Sequence, residues 1–221
     1  YGTLGCLAKL NNQMTVALTS MHVGYNTVYI ENSDNVRIPL GTRINQLPDQ
    51  EYIQIQNDLA IIAVDRRAKE YLCEQKLFNY DEAPTNAVIC EEQLPNLYRE
   101  IIHKFGASSQ WTQGEIVLSE LVSENQGIIA VRGMNNRVFG EPGDSGSIVF
   151  RETFVDNKRQ LEVVAVLSGR YEQNTGKKST DTEPEQACPL IACTSFHKAL
   201  TYFQKQRDLD IPIESIDFFN H

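Results

Sequence analysis

Gly143-Asp144-Ser145-Gly146-Ser147-Ile148-Val149-Phe150 sets a serine in a turn between two glycines, directly ahead of an apolar run. A serine that attacks a carbonyl needs an exposed hydroxyl and backbone N–H donors aimed at the oxygen that becomes negative. Glycine at 143 lets the chain turn tightly and present its N–H with no side chain in the way, and Gly146 permits close approach from the other side. The pentapeptide alone also suits an ordinary turn. Its meaning depends on what the rest of the chain supplies.

A nucleophilic serine needs a base, and the base needs an orienting acid. Upstream, Ala17-Leu18-Thr19-Ser20-Met21-His22 places a histidine just past an apolar strand, and Asn57-Asp58-Leu59-Ala60-Ile61-Ile62 places an aspartate at the head of another. Singly, such a histidine reads as a satisfied core or surface residue and such an aspartate as a strand-end residue. Together with Ser145 they supply base, acid and nucleophile in the order His, Asp, Ser.

The surrounding chain reads as strands. Short apolar or alternating runs recur at Gly5 to Leu10, Met14 to Thr19, Thr27 to Ile30, Tyr52 to Ile55 and Leu59 to Val64. They continue at Gly114 to Val117, Gly127 to Val131, Ser147 to Phe150 and Leu161 to Leu167. Runs of this length, rich in Val, Ile, Thr and Tyr, indicate an all-β sandwich or barrel. Two stretches read as helical: the charged Asp65 to Gln75, and Thr194 to Gln206. In the second, Thr194 or Ser195 caps the first turn and Phe196, Leu200 and Phe203 share a face. Tyr171 to Ala187 lacks an apolar face and reads as a long surface loop.

Thr-x-x-His at a strand end, Asp-Leu-Ala and Gly-Asp-Ser-Gly occur here in order as TSMH, NDLA and GDSGS. On these motifs the chain resembles the chymotrypsin-like (trypsin-like) serine peptidases, in a form without the disulfides of the secreted trypsins. The resemblance implies an all-β fold of two antiparallel β-barrels with a C-terminal α-helix and the active site in the cleft between them. It places an N-terminal barrel at 1–93, carrying His22 and Asp58, and a C-terminal barrel at 94–221, carrying Ser145 and the closing helix. Lys104 to Val117 looks like the first strand pair of the second barrel, with the Lys-x-Gly…Gly-x-Val frame of intracellular and viral members. By the same resemblance Ser145 is the nucleophile, His22 the general base and Asp58 its orienting acid. The N–H groups of Gly143 and Ser145 form the oxyanion hole.

Several residues depart from the family pattern. Val23 stands where secreted trypsins carry a Cys, and no Cys stands near Ser145. The Ile-Val-Gly-Gly start, whose freed amine pairs with the aspartate before the nucleophile, is missing, so Asp144 is expected to need another partner. Met21 is bulkier than the usual residue before the His, and Ser147 replaces a usual Gly. The resemblance assigns the substrate pocket to Phe139, Gly140, Ser168, Gly169, Arg170 and Leu190. Phe139 is expected at the floor, where no carboxylate stands to select Lys or Arg. Leu190 narrows the pocket, and Arg170 is placed to reach an acidic side chain. The expected preference is a small or apolar residue, with an acidic one second.

Composition excludes several other functions. Of the 221 residues, 41% are hydrophobic and 22% charged, as in a globular chain. The net charge of −9 opposes the counterion release that nucleic-acid binding uses. No apolar run approaches a membrane span of about 18 residues. Five cysteines, an odd and scattered set, suit buried free thiols in a reducing compartment, so an intracellular, cytoplasmic setting is expected. The four histidines never pair at metal-ligand spacing and no phosphate-cradling loop is present, so neither a metal nor a cofactor is expected. The chain lacks an initiator Met and a signal-like start, so it is expected to be a regulated piece of a longer precursor with further domains. Its expected partner is a protein or peptide substrate. The other readings are a latent protease-like interaction module, its oxyanion hole collapsed around an unpartnered Asp144, and an autoprocessing unit, for which the tail Ile213 to His221 is a candidate segment.

Overall fold

The computed structural model describes residues 2–10, 14–24, 28–31, 37–44, 58–74, 87–92, 94–118, 127–171, 189–205 and 216–218. The expected strand Tyr52 to Ile55, the expected loop beyond Tyr171 and both ends of the tail lie outside them.

The N-terminal sheet uses β1 (Cys6–Leu10), β2 (Met14–Thr19), β3 (Val28–Glu31), β4 (Arg37–Arg43) and β5 (Ala60–Val64). A last strand, β13 (Ile216–Phe218), joins its edge and gives the order β13-β1-β2-β5-β4-β3. Alternation is blurred in β2, where five of six residues are buried, because both of its faces are covered. One face packs inside the sheet, where Leu7, Ala17, Ile38, Leu40 and Ile62 meet Ala68 and Leu72 of α1 (Arg66–Glu74). The other faces the second half of the molecule.

The C-terminal sheet contains β7 (Ile101–Gly106), β8 (Gln110–Leu118), β9 (Ile128–Gly133), β10 (Ile148–Val155), β11 (Lys158–Arg170) and β12 (Ile191–Ser195). Its order β10-β7-β8-β9-β12-β11 closes on itself through the β10–β11 pairing. These pairings are antiparallel. Against the expected all-antiparallel arrangement, β6 (Ala87–Ile89) adds to β11 in parallel. The architecture is two β-barrels and a C-terminal helix. Two short strands cross between the halves of the sequence: β6 pairs in the second sheet, and β13 returns to the first.

The halves are joined by a shared core. Leu18, Met21, Leu59 and Ile61 from the first barrel meet Ile148, Val163 and Val166 from the second, and α2 (Phe196–Lys205) caps them. Phe196, Ala199, Leu200 and Phe203, spaced three and four apart, form the buried face of α2. Ser195, and not Thr194, supplies the cap: its hydroxyl accepts from the N–H of Lys198 at 3.4 Å. A fully buried Leu or Phe contributes about 1.5–3 kcal/mol, so this layer fixes how the barrels, and the candidate site residues on each, face one another.

Candidate active site

β2 ends at Thr19 and the chain turns, with the N–H groups of Val23 and Gly24 both donating to the carbonyl of Ser20. Met21 is buried in the shared core, and the turn carries His22 outward with 42% of its side chain exposed. Asp58, ahead of β5, is only 2% exposed. The His22 Nδ1 lies 2.8 Å from Asp58 Oδ2 and 3.1 Å from Oδ1, and the His22 backbone N–H donates to Oδ1 at 3.0 Å. A buried carboxylate on Nδ1 holds the proton there and leaves Nε2 as the acceptor. The bond to Asp58 favours the charged ring, outweighs the opposing effect of burial, and raises the His22 pKa above the ordinary 6.5.

Ser145 lies in the turn between β9 and β10. This turn packs onto the strand end that carries His22. The Ser145 carbonyl accepts from Thr3 N–H at 2.7 Å, and a Cβ on Gly146 would stand 2.1 Å from Thr19 Oγ1 and 3.2 Å from Ser20 N. A Cβ on Gly2 would meet both Val23 and the Ser145 carbonyl. The His22 and Ser145 segments are therefore neighbours across the barrel interface. The Ser145 hydroxyl donates to the carbonyl of Ser168 at 3.2 Å, and no hydrogen bond joins it to His22 among the described residues.

The structure identifies the partner of Asp144. Lys104 Nζ is 2.9 Å from Asp144 Oδ2, and both side chains are fully buried. Asp144 also accepts from the N–H groups of Ser108, Ser109 and Glu141 and from the Ser109 hydroxyl. Burial works against ionisation, but these bonds outweigh it and pull the carboxyl down to about 2. For Lys104, burial dominates over the Asp144 attraction and lowers its pKa. Lys104 also donates to the Ser109 hydroxyl at 2.6 Å and to the Gln110 carbonyl at 3.5 Å, so the ammonium is satisfied inside the barrel. The Lys-x-Gly frame has a physical reason here: a Cβ at Gly106 would lie 2.3 Å from Asp144 Oδ1 and 2.9 Å from Lys104 Nζ.

The motifs named Lys104 only as part of the Lys-x-Gly frame and did not reveal its pairing with Asp144. A signal was present: Ile102, Lys104 and Gly106 occupy the buried positions of β7, and an inward lysine requires a buried carboxylate. Asp144 was the acid left without a partner.

Gly143 has φ +102°, a conformation natural to glycine, and a Cβ there would meet Ser108 Oγ at 2.3 Å. The N–H groups of Gly143 and Ser145 donate no hydrogen bond among the described residues. Ser147, which departs from the family's Gly, spends both its N–H and its hydroxyl on the Asp144 carbonyl.

The expected pocket residues are distributed differently. Phe139 has no exposed surface; its ring packs against Gly114 inside the second barrel, 5.9 Å from the Lys104 ammonium. It is therefore a core residue in this structure, not an open floor. Beside Gly140, Leu167 occupies the space a Cβ would need, at 2.7 Å. The Ser168 hydroxyl is paired with Thr194 at 2.8 Å, so only its carbonyl faces Ser145. Above Gly169 there is open space, with no atom within 4 Å of a built Cβ. Arg170 is exposed, and Leu190 is half-buried with its carbonyl bonded to Tyr171 N–H. A separate depression lined by Trp111, Thr112, Gln113, Met134, Asn135 and Arg137 contains none of these groups. No set of His, Cys, Asp and Glu able to hold a metal ion, and no helix long and apolar enough to cross a membrane, occurs among the described residues.

No family model matches the sequence, and no curated protein matches it. Solved structures do match in fold. Protease A of Thermobifida fusca is 12% identical with a TM-score of 0.51, over 100% of this chain and 92% of that one. Nocardiopsis protease is 14% identical with a TM-score of 0.51, over 98% of this chain and 92% of that one. At such identities the likeness is one of fold, and the fold is that of the chymotrypsin-like serine proteases.

Proposed function

We propose that this chain is a serine endopeptidase that hydrolyses peptide bonds through an acyl-enzyme, with His22, Asp58 and Ser145 as its triad. The observation that carries the reading is the nucleophile turn: Ser145 stands beside the His22 segment, and the Gly143 and Ser145 N–H groups are unspent. In this mechanism Ser145 Oγ leaves the Ser168 carbonyl, its partner at 3.2 Å, and turns to His22 Nε2. Ser145 Oγ then bonds to the scissile carbonyl carbon as its proton passes to Nε2. The carbonyl electrons move onto oxygen, where the two N–H groups hold them. The intermediate collapses, the C–N bond breaks, and His22 returns the proton to the leaving amine. Water repeats the sequence on the acyl-enzyme and restores Ser145. Asp58 holds the ring tautomer and stabilises its charged form.

Leu167, whose side chain stands 2.7 Å from where a Cβ on Gly140 would lie, favours a small or apolar residue at the cleavage position. Exposed Arg170, at the open Gly169 end of β11, favours an acidic one second. The free Cys6, Cys90 and Cys193 fit an intracellular setting. A peptide library tests the reading: cleavage is expected with the parent chain and is expected to vanish with Ser145→Ala and with His22→Ala. Cleavage that survives Ser145→Ala, or a best substrate with Lys or Arg before the cut, would overturn the corresponding part.

One observation favours a second reading, a latent protease-like module: Ser145 donates to Ser168 and not to His22. A chain that binds library peptides without cutting any of them would support it.

A further inference from the structure

We propose that Ser108 is a positioning residue for the oxyanion hole, latching the Pro142–Gly143 peptide so that the Gly143 N–H faces the reacting oxygen. This rests on the peptidase reading above.

A trans peptide points its C=O and N–H in opposite directions. The orientation of the Gly143 N–H is therefore set by whatever holds the Pro142 carbonyl. That partner is the Ser108 hydroxyl, which donates to Pro142 O at 2.7 Å. Glycine at 143 permits the peptide to rotate either way, so the residue that allows the active geometry also allows its loss. In the reversed orientation a carbonyl would point where the substrate oxygen gathers charge, and one of two donors would be gone.

The neighbouring peptides are held in the same manner. Thr3 Oγ1 donates to the Gly143 carbonyl at 2.9 Å and accepts from Ala107 N–H at 3.0 Å. Ser147 holds the carbonyl of Asp144, and with it the opposite-facing N–H of Ser145. The Ser108 latch is the exposed one of the three, and its partner is the peptide with a glycine hinge. Ser108 also donates its backbone N–H to Asp144 Oδ1, a bond that side-chain substitution leaves in place. The hydroxyl can thus be removed without undoing the buried ion pair.

The test compares the parent chain with Ser108→Ala, Ser108→Thr and Ser108→Val, using fluorophosphonate labelling rates and steady-state kinetics on the best library peptide. Ser108→Ala and Ser108→Val are expected to lower kcat about three- to tenfold, the range one hydroxyl-to-carbonyl bond spans. KM is expected to stay within about twofold, since only the transition state uses the hole. Ser108→Thr, which keeps the hydroxyl and has the shape of Ser108→Val, is expected to restore the parent rate. That shape-matched pair separates the latch from a general loss of stability, which would lower both. Parent-like kcat in folded Ser108→Ala and Ser108→Val, or a Ser108→Thr as slow as Ser108→Val, would overturn the assignment while leaving the peptidase reading intact. A parent chain that neither labels nor cleaves would overturn the peptidase reading and the assignment with it.

Discussion

In the proposed mechanism His22 and Asp58 set the acid limb of the pH dependence. The base works only when neutral, and the bond from Asp58 raises its pKa above the ordinary 6.5. Activity is therefore expected to rise with pH through a midpoint above 6.5. Asp58→Asn is expected to shift that midpoint down and to cut kcat by about 10⁴, because the ring loses its tautomer; pH–rate profiles of the two proteins check this. The same raised pKa makes the His22 contribution to stability fully present below pH 6.5 and lost as pH climbs through the folded value. Asp144 has the opposite sign. Its folded pKa of about 2, against an ordinary 3.8, gives a contribution present above pH 3.8 and lost as pH falls toward 2. That difference is worth about 2 kcal/mol. Lys104→Met leaves the carboxylate buried and unpaired, and is expected to cost about 3–5 kcal/mol. Urea unfolding at neutral pH measures the variant, and thermal unfolding between pH 5 and pH 2 measures the acid limb.

At the scale of elements, α2 acts as the clamp between the barrels. Leu200 is 1% exposed and packs in the core shared by both halves. Leu200→Ala is expected to destabilise the protein by about 2–5 kcal/mol. A single urea transition moving as a whole would show that the barrels unfold together. Much at this scale was legible in the sequence. β2 is the run Met14–Thr19 itself, and α2 starts two residues inside the expected Thr194, because its apolar spacing is unambiguous. β4 was not legible. Pro39 and Gly41 argue locally against a strand, yet β4 pairs on both sides, helped by a register shift in β3 between Val28 and Tyr29 opposite them. β6 and β13 have three residues each and exist only through partners distant in sequence, β11 and β1. Local pattern carries no trace of such pairings.

For the molecule as a whole, the two-barrel fold and the candidate catalytic residues could be read from motifs with a fixed order. The pocket could not, since Phe139 turns into the core for reasons of packing around Lys104. Nor could the internal ion pair, which joins residues 104 and 144 across the second barrel. That pair has a consequence for the whole chain. In the family resemblance Asp144 takes a freed N-terminal amine; here Lys104 fills the role from inside. The Asp144 carboxylate therefore has its cation from within the second barrel. Labelling of the parent chain by a fluorophosphonate, with the modified residue mapped by mass spectrometry beside Ser145→Ala, decides whether Ser145 is a nucleophile. A single adduct on Ser145, absent from the variant, is expected. Failure of the folded parent chain to react, or an equal adduct on the variant, would contradict it.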